Sequence, residues 1–76
     1  MDDIKNMLAE LRPEFDFEES ENFITDGLLD SFDVISLTSM LEEKYEITID
    51  GLDIVPENYA SVEAIADLVK KSGGAI

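Results

Sequence analysis

The stretch Asp26-Gly27-Leu28-Leu29-Asp30-Ser31-Phe32-Asp33-Val34-Ile35-Ser36-Leu37 changes character midway, from loop to helix. Asp26-Gly27 is a turn dipeptide. Asp30 is placed as the N-cap of a helix that begins near Ser31 and runs to Tyr45. At about 100° per residue, Val34, Leu37, Leu41 and Tyr45 fall in one narrow sector, the core stripe of that helix. Phe32 falls nearly opposite, and Ile35 flanks it. Ser36, Ser39, Glu42 and Glu43 share this outer side. One reading is a helix start whose Phe32 is covered by loop residues. The other is a small apolar docking spot rimmed by acids. Geometry alone favours the first, because single exposed apolar residues are ordinary.

Charge adds weight to the second. From Pro13 to Glu43 there are ten acids and no base: Glu14, Asp16, Glu18, Glu19, Glu21, Asp26, Asp30, Asp33, Glu42 and Glu43. A solvated face kept for solubility would account for some of this. Crowding one sign around a helix start nevertheless costs self-repulsion and points to a basic partner surface. The acids do not follow the spacing of a calcium-binding loop, so no metal site is expected.

Toward the N-terminus, Ile4, Met7, Leu8 and Leu11 recur at helical spacing. Asp2 and Asp3 suit the positive end of that helix, and Pro13 stops it. Residues 13–30 then form a long loop, pinned to the core by Phe15, Phe17, Phe23, Leu28 and Leu29. Toward the C-terminus, Ile47-Thr48-Ile49 is a short extended piece with no partner run to make it a strand, and Asp50-Gly51 turns the chain. Pro56-Glu57-Asn58-Tyr59 suits one helical turn. Ser61 caps a last helix with Val62, Ile65, Ala66 and Val69 on its apolar face. Lys70 and Lys71 suit its negative end, and Gly73 and Gly74 end it. The expected fold is all-α: a small four-helix bundle of three main helices and one short one, in a single domain over residues 1–76.

A chain of 76 residues has a thin core and little room for an enclosed active site. It has no Cys and no His, so the usual triads and zinc sites cannot be built. An enzyme is not expected. The net charge of −14, from 19 acids and 5 bases, repels nucleic acid and anionic membranes. With no membrane-length apolar run and no signal-like N-terminus, the expected location is the cytoplasm and the expected state a monomer.

The segment Asp26 to Leu37 resembles the attachment segment of acyl and peptidyl carrier proteins, in which an Asp-Ser-Leu motif opens the second helix. Here the motif reads Asp30-Ser31-Phe32. Leu41-Glu42-Glu43-Lys44-Tyr45 looks like the family's Leu-Glu-Glu-x-Phe helix end. Ile47-Thr48-Ile49, Pro56-Glu57-Asn58-Tyr59 and Ser61-Val62-Glu63-Ala64-Ile65 match later landmarks in order. Three departures stand out. Phe32 replaces the commoner Leu, Ser36 stands where many fatty-acid carriers have an acid, and the loop from Asp50 to Tyr59 is longer. Together with Asp26-Gly27-Leu28-Leu29-Asp30-Ser31, this looks more like stand-alone carriers outside core lipid synthesis, including D-alanyl carriers.

The resemblance implies a bundle of acyl-carrier type and a covalent 4′-phosphopantetheine on Ser31, placed there from coenzyme A by a phosphopantetheinyl transferase. It supplies the thiol that this chain lacks, so that cargo is held as a thioester. The implied partners are that transferase, a ligase that loads an acyl or aminoacyl group, and downstream transferases or synthases with basic docking surfaces. Asp30, Asp33, Glu42 and Glu43 are the candidates for steering such partners, and Phe32 and Ile35 for the apolar contact. Fatty acyl, aminoacyl and polyketide cargo remain open. The alternative is an acidic helical interaction module without a prosthetic group.

Overall fold

The first helix, α1, spans Asp2–Leu11 and buries Ile4, Met7 and Leu8, with Leu11 packed at the margin. It ends as the spacing predicts. The Arg12 amide makes one last bond to Leu8 O at 2.9 Å, and Pro13 has no N–H to continue. The computed structural model describes residues 2–17 and 21–74. Met1, Glu18 and Glu19 lie outside them, as does the side chain of Asp2.

Helix α2 spans Ser31–Tyr45 and α3 spans Val62–Lys71. A 3-10 turn at Gly51–Asp53 and a 3-10 helix at Pro56–Tyr59 lie between them. Among the described residues there is no strand; residues 47–49 belong to no helix or strand, and Ile49 is buried. Helices of ten residues, such as α1 and α3, do not persist alone in water, so packing must hold them. Helix α1 packs on both α2 and α3, and the Pro56–Tyr59 helix bridges α2 and α3. The core joins Ile4 and Leu8 to Val34, Leu37, Leu41, Ile65 and Val69, with Tyr59 completely enclosed. Leu68 is buried too, so the apolar face of α3 is wider than Val62, Ile65, Ala66 and Val69 alone suggest.

The loop after α1 is pinned largely as expected. Phe17, Phe23 and Leu29 are buried, Leu28 packs at the margin and Phe15 is partly exposed. The Phe17 and Phe23 rings meet edge to face, 5.0 Å between centroids, a favoured arrangement. The Phe23 amide donates to Ala60 O at 2.7 Å and ties the loop to the entry of α3. The longer connection after α2 is braced as well. The Asp50 carboxylate accepts from the Leu52 amide, Asn58 Nδ2 donates to Asp53 O, and Lys71 Nζ meets Asp53 Oδ1 at 2.8 Å.

Candidate functional site

The turn that precedes α2 is built from its own polar groups. Asn22 Oδ1 accepts from the amides of Ile24 and Thr25. Gly27 follows at φ +77°, a conformation in which a side chain is strained. The amides of Leu28 and Leu29 then both return to Phe23 O, at 2.9 and 3.1 Å. Leu29 drops into the core and Asp30 emerges extended, at φ −108° and ψ −174°.

Asp30 is the N-cap of α2, as its place in the sequence predicts, but it does not act alone. Its Oδ1 accepts from the Asp33 amide at 2.9 Å, while Asp33 Oδ2 accepts from the Asp30 amide at 3.2 Å. This is a reciprocal capping box with Asp at both ends. Ser31 is therefore the first helical residue rather than the cap, and it is exposed.

Asp33, expected as a surface acid, is placed differently. Its side chain is only 8% exposed, and its Oδ2 also accepts from Arg12 Nε at 2.9 Å. A buried carboxylate needs such a partner, and the capping box draws this one inward. Arg12 Nη2 lies 3.6 Å from Asp30 Oδ2, and Nη1 lies 3.8 Å from Glu14 Oε2. The bond to Asp33, more than any other contact, holds the guanidinium in its charged form. Asp30 is held below the ordinary carboxylate value, first by the Asp33 amide and then by the charge of Arg12.

Sequence reasoning missed Arg12. The available signal was the Asp-x-x-Asp spacing of a capping box, with the chain's one arginine just past the end of α1. Glu42 is also engaged: its Oε2 accepts from the Ile49 amide at 2.9 Å and fixes the chain after α2.

Phe32 and Ile35 are 78% and 61% exposed. Phe32, Ser36, Ser39 and Glu43 follow one another at i, i+4, i+7 and i+11, which aligns them on one exposed stripe with Ile35 at its edge. Loop residues do not cover Phe32. Of the six expected docking residues, Asp30, Phe32, Ile35 and Glu43 stand on the surface, whereas the carboxylates of Asp33 and Glu42 turn back to the fold. Among the described residues no cluster of acids has metal-binding geometry, and no helix is long and apolar enough to cross a membrane.

The site suits a covalent group carried through a phosphate. The Ser31 hydroxyl is exposed and is not the capping group, and an anion on it would sit at the positive end of a fifteen-residue helix. Neither the curated proteins nor the solved structures gave a match. A family model for a phosphopantetheine attachment site matches residues 2–69. That family carries a covalently attached 4′-phosphopantetheine group, and its match spans α1 and α2 and most of α3. The chain belongs to the phosphopantetheine attachment-site family, the family of acyl and peptidyl carrier proteins.

Proposed function

We propose that the chain is an acyl or aminoacyl carrier whose phosphopantetheine is borne by the Ser31 hydroxyl. The exposed serine at the first helical position, beside a cap that does not need it, is the observation that carries this reading. The bound group would supply the thiol for a thioester, since the chain has no Cys. Ser31 is an acceptor in a transferase's active site and afterwards a tether. With no His in the chain to take its proton, it is not a nucleophile on its own account.

The exposed stripe beside Ser31 is the docking face. Phe32 and Ile35 give a small apolar contact, and Asp30 and Glu43 give the charge that steers a basic partner. Asp33 and Glu42 support this face from beneath, by holding the start of α2 and the chain beyond its end. A small contact with charge steering suits brief visits to a transferase, a loading ligase and downstream enzymes. The chain acts as a single monomeric domain in the cytoplasm, without catalysis of its own. The longer Asp50–Tyr59 connection, together with the segment Asp26-Gly27-Leu28-Leu29-Asp30-Ser31, favours a stand-alone carrier, including the D-alanyl type, over one of core lipid synthesis.

Incubation with coenzyme A, Mg²⁺ and a broad-specificity phosphopantetheinyl transferase is expected to add the mass of one phosphopantetheine. Ser31→Ala is expected to abolish the gain. Persistence of the gain in that variant would move the site elsewhere. No gain with any of several transferases would favour an interaction module that works through Phe32 and Ile35 alone.

A further inference from the structure

Arg12 stands one residue past the end of α1 and reaches across to the start of α2. One guanidinium serves three carboxylates: Asp33 through Nε at 2.9 Å, Asp30 through Nη2 at 3.6 Å and Glu14 through Nη1 at 3.8 Å. Asp30 precedes Ser31 directly, and Asp33 follows it by two residues. From Pro13 to Glu43 the sequence offers no base of its own.

An anion approaching Ser31 meets opposing fields. The helix start attracts it, whereas the two acids of the capping box repel it. Arg12 alters that balance at both acids. It keeps the Asp33 charge paired beneath the surface, and it places a cation beside Asp30. The same contacts fix the backbone on both sides of Ser31, because both members of the capping box touch the guanidinium.

We propose that Arg12 is the positioning residue of the attachment serine. It holds the Asp30–Asp33 box and offsets its charge, so that coenzyme A, itself an anion, can bring its phosphate to the Ser31 hydroxyl. This rests on the reading of Ser31 as the attachment point. In the step it serves, Ser31 Oγ gives its proton to a base of the transferase and bonds to the phosphorus of the pantetheine-bearing phosphate. The phosphoanhydride bond to the nucleotide breaks, and adenosine 3′,5′-bisphosphate leaves with the electron pair. Arg12 touches none of the reacting atoms; it acts through Asp33 and Asp30.

The test uses the whole chain as transferase substrate, with kcat and KM measured separately and amide exchange followed by NMR. Assays are run where circular dichroism shows each variant folded. Arg12→Gln is expected to lower kcat/KM on the order of tenfold and to speed exchange at the Phe32 and Asp33 amides. Arg12→Lys, which keeps the charge but not the fork, is expected to recover part of the loss. Ser61→Ala, which weakens the cap of α3 away from the site, is expected to be modified like the parent chain. If Arg12→Gln does not fold, the Arg12→Gln/Asp33→Asn pair leaves no unpartnered buried acid, and slow modification of that pair supports the proposal. A parental kcat/KM in folded Arg12→Gln or in the pair overturns it, as does equal slowing in Ser61→Ala. If the parent chain is not modified at all, the Ser31 reading fails first. The exchange comparison then still decides whether Arg12 holds the start of α2: unchanged exchange overturns the clamp.

Discussion

Tyr59 is the bulkiest side chain that the fold encloses completely, and it carries a hydroxyl that must find a partner there. It finds Thr38 Oγ1 on α2. Thr38 gives its own proton to Val34 O at 2.7 Å, so the tyrosine must be the donor in the bond between them. Burial pushes the Tyr59 phenol above its ordinary value of 10.0. The phenol is protonated, and hence a donor, throughout the neutral range. A raised folded value means stability that is complete below pH 10.0 and lost as pH rises through the folded value. In a spectrophotometric titration with base, Tyr59 is expected to ionise together with loss of helix. Tyr59→Phe keeps the ring and removes the donor. It is expected to cost about 1 kcal/mol in urea unfolding, a typical net value for one internal hydrogen bond. A loss of that size with an unchanged urea slope would be a change in stability, without a change in the surface exposed on unfolding.

At the scale of the helix, local chemistry is what the sequence displays. Asp30, Ser61 and Pro56 mark helix starts, and each stands where its residue type predicts. Ser61 Oγ accepts from the Ala64 amide at 3.1 Å, and Ser61→Ala is expected to cost about 1 kcal/mol in the same unfolding experiment. Gly27→Ala tests the turn before α2. Its φ of +77° is strained for alanine although the space around it is open, so a loss of about 1 kcal/mol would come from the backbone alone. The stripe Val34, Leu37 and Leu41 was legible because helical spacing is local, and so was the outward placement of Phe32 and Ile35. The fate of Asp33 was not. Its burial depends on Arg12, twenty-one residues away, and no periodicity encodes that meeting. Thr38 is hidden for a similar reason. A hydroxyl on a buried face looks out of place until Tyr59 arrives from a separate short helix. Tyr45, expected in the core stripe, is only half-buried, where the last turn of α2 reaches the margin of the bundle.

At the scale of the whole molecule, the question is how a domain with a net charge of −14 stays closed. Its radius of gyration is 11.1 Å. That agrees with the roughly 11 Å expected of a folded chain of this length. The longest extent is 29 Å and the shortest 18 Å. The Debye length is about 10 Å at 0.1 M salt and about 3 Å at 1 M. In dilute buffer, therefore, acids on neighbouring helices feel one another. At high salt only contacting pairs do. Close pairs such as Arg12 with Asp33 and Lys71 with Asp53 resist screening better than distant charges. Unfolding moves the surplus acids apart, so repulsion is relieved in the open chain and weakens the folded one. Salt removes this penalty while leaving the close contacts largely in place. Raising sodium chloride from about 0.05 M to about 0.5 M is expected to raise Tm by several degrees, because 1 kcal/mol shifts a domain of this size by roughly 4–8 °C. Sodium chloride serves better than sulfate, which stabilises proteins through exclusion from their surface whatever their charge. Arg12→Gln should steepen the rise, since it adds one more uncompensated acid pair at the start of α2. A Tm that falls with salt would mean instead that the attractive pairs outweigh the repulsion of the rest.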